Sequence, residues 1–210
     1  NVTVSVLSSP GGDRMDDKDR LATQAFTAWD GIFTDAELDR IQAYGDSLAE
    51  AQETLFDGGQ GQAQGQVQNR IRVTQTAWIE PGPDTRWFYD RMQAVVRGIN
   101  SQSYQFDLSG FSENFQYTIY HGDEGGHYDW HVDQGPLNVR RKLSISVQMS
   151  DDAQYEGGNL EFQSGNRIET APRARGAVVV FPSYVLHRVT PVTAGTRKSI
   201  VIWTTGPKFR

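Results

Sequence analysis

Tyr128-Asp129-Trp130-His131-Val132-Asp133 places a histidine and an aspartate at alternate positions of an apparent strand. Strand side chains at i and i+2 leave on the same face, so His131 and Asp133 can point at one atom between them. An imidazole nitrogen and a carboxylate oxygen are two of the three donors in the facial triad that holds non-haem Fe(II) with open positions. The chain has four histidines, at 121, 127, 131 and 187. His121 and His127 bracket the Gly-rich His121-Gly-Asp-Glu-Gly-Gly-His127 and read as loop residues. His187, which closes Phe181-Pro-Ser-Tyr-Val-Leu-His187, is the candidate third ligand. An H-x-D pair occurs by chance in many chains, so the weight falls on what surrounds it.

Downstream, the apolar run Ala177-Val-Val-Val-Phe-Pro182 leads towards His187, and Arg197 opens a further run, Ser199-Ile-Val-Ile-Trp203. Antiparallel pairing of these two runs is expected to bring Arg197 close to His187. An arginine fork there can hold a small carboxylate bidentately. Ser199 and Trp203 share the face of Arg197 by the period of two. From Phe106 onward the texture is short apolar or alternating runs: Phe115–Tyr120, Tyr128–Asp133, Lys142–Met149, Asn159–Phe162, Gly176–Phe181, His187–Val189 and Arg197–Thr204. Such spacing predicts an antiparallel sandwich or barrel.

Upstream, Phe26–Phe33 reads as a first strand. Thr34-Asp-Ala-Glu37 is a capping box, and Leu38, Ile41, Leu48 and Leu55 follow at near-helical spacing, which predicts a helix over 35–56. The stretch 57–66 is Gly/Gln-rich and reads as a flexible surface loop. Residues 70–79 alternate like a strand. Pro81-Gly-Pro-Asp84 is a turn, and 84–99 reads as a second helix. Residues 1–20 form a flexible lead-in. The expected architecture is one α+β, mainly β domain over 1–210, with both helices packed on one outer face of the strands.

Composition removes several classes of function. The 20 Lys and Arg against 26 Asp and Glu give a net charge of −6, so no global basic field draws the protein to nucleic acid or to an anionic membrane. Arg140-Arg141-Lys142, and Arg173 with Arg175, are short basic clusters of a solvated face. With no cysteine, thiolate metal sites, disulfides and cysteine nucleophiles are excluded. No apolar run approaches the ~20 residues of a membrane helix and no secretion signal is legible, which sets the expectation of a cytoplasmic protein.

Several stretches, in order, resemble the Fe(II)- and 2-oxoglutarate-dependent oxygenases, in the branch of prolyl-4-hydroxylase-type and PKHD-type hydroxylases. They are Gln116-Tyr-Thr-Ile-Tyr120, Tyr128-Asp-Trp-His131-Val-Asp133, Leu143-Ser-Ile-Ser, Tyr155-Glu-Gly-Gly-Asn-Leu160, and Gly176 to Pro191 with Arg197. The likeness runs from about Trp29 to Trp203. It implies a double-stranded β-helix (jelly roll) with supporting N-terminal helices. It implies that His131, Asp133 and His187 ligate Fe(II), and that Arg197 pairs with the distal carboxylate of 2-oxoglutarate, with Ser199 assisting. Tyr120 and Gln148 are further candidates for binding the cosubstrate. Tyr128, Trp130, Arg188 and Trp203 are candidates for the substrate side. O2 is the oxidant, and ascorbate is an expected accessory reductant. The implied reaction is hydroxylation of an unactivated C–H bond in a prolyl residue of a peptide or protein, or in an amino-acid-like small molecule. Asp133 favours hydroxylation, because related halogenases carry a small residue there.

Three rival readings fit less of the chain. Nucleic-acid demethylases of the same superfamily carry a second arginine where this chain has Trp203, and the net charge also opposes that reading. A non-catalytic jelly-roll binding protein has no need of His131, Asp133, His187 and Arg197 together. A zinc hydrolase built on the same three ligands leaves Arg197 and Ser199 unexplained, and no H-E-x-x-H is present.

Overall fold

The computed structural model describes residues 25–56, 66–68 and 71–208. The expected lead-in at 1–20 and all but the last position of the expected 57–66 loop lie outside the described residues. Helix α1 spans Asp35–Phe56, as its pattern predicts. Its capping box is formed: the Glu37 amide donates to Thr34 Oγ1 at 3.3 Å, and the Thr34 amide donates to Glu37 Oε2 at 3.0 Å. Helix α2 spans Arg86–Ile99 and buries Phe88, Met92, Val95, Val96 and Ile99, an apolar stripe at helical spacing.

The strands are β1 (Thr27–Trp29), β2 (Gln66–Gln68), β3 (Arg72–Ile79), β4 (Gly110–Phe111), β5 (Phe115–His121), β6 (His127–His131), β7 (Arg141–Gln148), β8 (Tyr155–Gly157), β9 (Leu160–Ser164), β10 (Arg167–Thr170), β11 (Val178–Pro182), β12 (His187–Val189) and β13 (Val192–Thr205). All pair antiparallel, in the order β1-β11-β7-β13-β5-β3-β6-β12-β9-β10; β2 adds to β3, and β4 and β8 add to β13. The sheet curls over, so that Phe162 of β9 meets Phe181 of β11 with ring centroids 4.8 Å apart. This is the expected mainly β, jelly-roll architecture with two helices on its outside.

The period of two divides the central strands cleanly. Phe115, Tyr117 and Ile119 of β5, Leu143, Ile145 and Val147 of β7, Val178 and Val180 of β11, and Ile200 and Ile202 of β13 join Leu38 and Ile41 of α1 and the α2 stripe in one core. The alternate residues face inward. There Tyr120, Val179 and Phe181 join Leu160, Phe162, Val189 and Val192 in a second core under the curl.

Three expectations are corrected. β11 and β13 are not neighbours: β7 lies between them and pairs with both, because the crossover order of a jelly roll separates strands that are close in sequence. The first strand is only Thr27–Trp29, since Gly31 at φ +66° turns the chain before α1. β13 begins at Val192, earlier than Arg197, and its first residues pair with β8.

Candidate metal centre

His131 is the last residue of β6, Asp133 lies just beyond that strand, and His187 opens β12 directly opposite His131. β6 has one extra residue there: His187 pairs with His131 while Val189 pairs with Tyr128. Two steps along β12 therefore face three along β6, a β-bulge. The bulge turns Tyr128 onto the same face as His131, where the rings stack with centroids 3.4 Å apart and planes at 10°. The ligand atoms of His131, Asp133 and His187 all lie within 4.8 Å of one another. His131 Nε2 is 3.8 Å from Asp133 Oδ1, and His187 Nε2 is 3.6 Å from Asp133 Oδ2.

Both imidazoles are oriented by the backbone. His131 Nδ1 lies 2.7 Å from the Asp129 carbonyl and His187 Nδ1 lies 2.9 Å from the Val185 carbonyl. A carbonyl only accepts, so each Nδ1 carries a proton, and each Nε2 is the nitrogen turned towards the other ligands. Burial, and then the neighbouring His187, push the His131 pKa down to about 4, which keeps that ring neutral and able to ligate. Burial pushes the Asp133 carboxyl upward, but His187, the Ser144 hydroxyl and His131 outweigh it and the net direction is down. Two imidazole nitrogens and a carboxylate oxygen, converging and partly desolvated, are the donor set of a divalent ion with open positions. An octahedral ion holding donors at ~2.1 Å separates adjacent ones by ~3 Å, so closing the triad needs shifts of under an ångström.

A cavity of about 170 Å³ opens on this triad. At its inner end Arg197 is 1% exposed. Its Nη2 donates to Gln148 Oε1 at 2.9 Å and its Nη1 to Ser199 Oγ at 3.3 Å. Its buried Nε has no hydrogen-bond partner, and among the described residues no carboxylate pairs with it. A buried guanidinium without an anion is costly, and here it lines the same cavity as the triad. The residues thus fit both halves of the expected pair, a metal at the triad and a carboxylate at Arg197. Gly158 explains part of the Tyr155-Glu-Gly-Gly motif. Its φ is +61°, and a Cβ there would lie 2.9 Å from Arg197 Cδ.

Tyr120 sits opposite Arg197 in the β5–β13 register, with its ring 5.4 Å from the guanidinium carbon. Ser199, Tyr128 and Trp203 line the cavity. Gln148 is buried and holds Arg197 but is not part of the lining. Trp130 and Arg188 are outside it as well. Trp130, next to His131 along β6, leaves on the opposite face, and Arg188 lies over the Trp130 ring at 4.5 Å while pairing with Glu161. Sequence reasoning passed over Arg72, and it read Arg141 and Lys142 as part of a solvated face, whereas Arg141 lines the cavity and Lys142 is buried. Arg72 lines the wall over Tyr128 at 4.7 Å and donates to Gln116 Oε1 at 3.0 Å. Arg141 stacks over Trp203 at 3.9 Å and is ion-paired to Glu113. It also passed over Ser144, whose signal was present in Leu143-Ser-Ile-Ser: serines alternating with apolar residues inside a fully buried strand.

Residues 115–205 match the model of the 2OG-Fe(II) oxygenase superfamily, a stretch that includes the whole triad and Arg197. This stretch, under half of the chain, is similar to that superfamily, and the similarity implies Fe(II) and 2-oxoglutarate for the two halves of the cavity. The chain is 38% identical over 85 residues to a PKHD-type hydroxylase of Hyphomonas neptunium, the match covering 38% of each chain. It is 44% identical over 81 residues to one from a Synechococcus strain, covering 38% of this chain and 36% of the relative. These matches thus span little more than a third of the relatives' length. Among solved structures, a prolyl-4-hydroxylase of Pseudomonas putida superposes with a TM-score of 0.65 at 24% identity, covering 90% of this chain and 96% of that one. A Trichoplax adhaerens prolyl hydroxylase, solved with a hypoxia-inducible-factor peptide, gives 0.63 at 18% identity, covering 89% and 86%. These likenesses establish the fold. No helix among the described residues is long and apolar enough to cross a membrane.

Proposed function

We propose that the protein is an Fe(II)- and 2-oxoglutarate-dependent hydroxylase acting on a C–H bond of a prolyl residue in a peptide or protein, or of an amino-acid-like small molecule. The observation that carries this reading is the buried, anion-less Arg197 in the cavity of the His131–Asp133–His187 triad. A metal-only hydrolase gives that guanidinium no role. A cosubstrate with a carboxylate at each end gives it one, pairing one carboxylate with Arg197 while the other end reaches the triad.

In this reading His131, Asp133 and His187 hold the metal, and Arg197 with Ser199 fixes the distal carboxylate of 2-oxoglutarate. Gln148 keeps the guanidinium in place, and Tyr120 lies beside it. When bound, iron and 2-oxoglutarate let O2 insert one oxygen atom into a substrate C–H bond, the other leaving in succinate as CO2 is released. Leu160, Phe181 and Val189 wall the inner cavity with apolar surface and exclude water from it. Tyr128 and Trp203, each covered by an arginine, form the wall where substrate enters. The prolyl assignment draws on the PKHD-type relatives and on the prolyl hydroxylases that share the fold.

Anaerobic addition of Fe(II) and then 2-oxoglutarate is expected to give a metal-to-ligand charge-transfer band, and absence of the band overturns the assignment. A succinate-release screen over proline-containing peptides and free amino acids, read by a mass gain of one oxygen, then selects the substrate.

A further inference from the structure

Asp133 is the one anionic ligand in the triad, and its carboxylate is held by a relay of two buried hydroxyls. Ser144 Oγ donates to Asp133 Oδ2 at 2.6 Å, and Ser144 Oγ lies 2.9 Å from Ser183 Oγ. Both serines are 0% exposed, so water does not compete. The direction of the relay follows from the proton count. A hydroxyl has one proton, and Ser144 gives its proton to the ionised carboxylate. Ser183 must therefore donate to Ser144, which makes the bond on Asp133 shorter and stronger. Among the described residues no hydrogen bond of normal geometry reaches Asp133 Oδ1. The indole N–H of Trp203, close enough to lower the Asp133 pKa, closes no such bond.

The same short segment ties down the second ligand strand. The Ser183 carbonyl accepts from the amides of Asp133 and Gln134, both at 2.9 Å, and the Val185 carbonyl accepts from His187 Nδ1. One stretch, 183–187, thus orients Asp133 through backbone and hydroxyl, and presents His187.

We propose that Ser144, oriented by Ser183, is the positioning residue that fixes the rotation of the Asp133 carboxylate, occupying Oδ2 and leaving Oδ1 as the metal-binding oxygen. This rests on the metal reading of the triad given above. Without the relay the carboxylate can turn and offer both oxygens to one ion, using a position that substrate chemistry needs open.

The test is anaerobic Co(II) titration, following the ligand-field bands and the dissociation constant, on wild type, Ser144→Ala, Ser144→Thr and Ser183→Ala. Wild type binds one Co(II). Ser144→Ala is expected to bind about 10–100-fold more weakly, the usual loss when a partner of a metal ligand is removed, with an altered ligand-field spectrum. Ser144→Thr, which keeps the hydroxyl, restores the wild-type spectrum. Ser183→Ala gives a smaller loss in the same direction, and keeps the test alive if Ser144→Ala does not fold. A folded Ser144→Ala or Ser183→Ala with wild-type affinity and spectrum overturns the role of the relay alone. A wild type that binds no Co(II) overturns the metal reading with it.

Discussion

The two faces of the central strands β5, β7 and β13 are made from alternate residues of the same chain, and they do different work. The helix-facing side is Phe115, Tyr117, Ile119, Leu143, Ile145, Val147, Ile200 and Ile202, all but Ile119 essentially without exposure. The inward side is Gln116, Thr118, Tyr120, Ser144, Ser146, Gln148, Arg197, Ser199 and Trp203, also buried. One face is apolar because it must hold α1 and α2. The other is equally buried yet polar, and burial of polar groups is unfavourable unless each finds a partner. Here most partners are one another, while Arg197 Nε and Trp203 Nε1 are left without one. Burial does not separate fold from function in this protein; the polarity of the buried residue does.

The largest expected effect comes from removing the charge that the inner face leaves without an anion. Arg197→Met should weaken 2-oxoglutarate binding by about 30-fold or more, as truncating one partner of a buried charge pair costs upward of ~2 kcal/mol. Thermal melts of the metal-loaded protein separate this from unfolding. At about 100 times its dissociation constant for wild type, 2-oxoglutarate should stabilise wild type by ~2.7 kcal/mol and the variant by ~1 kcal/mol or less at the same concentration. Equal stabilisation of both proteins would remove Arg197 from the cosubstrate site.

The opposite face should give the opposite result. Ile202→Ala deletes a 0%-exposed side chain and should cost about 2–5 kcal/mol of stability. Urea unfolding measures the loss. Below the transition, the dissociation constant for 2-oxoglutarate should stay near that of wild type, because Ile202 points to the helices. A variant that keeps its stability but loses cosubstrate affinity would break the division between the faces.

The sequence exposes this division unevenly. α1 was legible to its ends because its capping box and apolar spacing are local. The strands were legible as runs, and the H-x-D pair and His187 as ligands, because few residue types bind metal and only four histidines were available. The order of strands was not legible: the β7 insertion between β11 and β13 is a long-range choice with no local signature. The position of Tyr128 had no local signature either: strict alternation puts it opposite His131, and only the extra residue at the β6 bulge brings it to the same face. Trp130, next to His131, leaves on the opposite face by alternation alone. Ser144 and Ser183 were readable only as small polar residues in buried runs, and their meaning depends on the curl that brings 144 and 183 to Asp133.

The smallest expected effect tests how closely the helices fit the apolar face. Gly45 lies inside α1, where alanine is preferred by ~1 kcal/mol, so propensity alone predicts that Gly45→Ala stabilises. The packing predicts the reverse. A Cβ at position 45 would lie 2.7 Å from Cδ2 and Cγ of Tyr117. That ring cannot retreat easily, being fully buried with its hydroxyl donating to Asp46 Oδ1 at 2.7 Å, the oxygen that also takes Lys198 Nζ at 2.7 Å. Overpacking of this kind costs ~1–3 kcal/mol, leaving a net loss of about 1 kcal/mol, or a fall of ~2–4 °C in melting temperature for a chain of this size. Tyr117→Leu should remove the clash. The two substitutions are then non-additive, with Gly45→Ala neutral or stabilising in the Tyr117→Leu background. If Gly45→Ala instead raises the melting temperature of the otherwise unchanged protein, the helix is free to slide on the sheet, and the apolar face is a looser fit than the polar one.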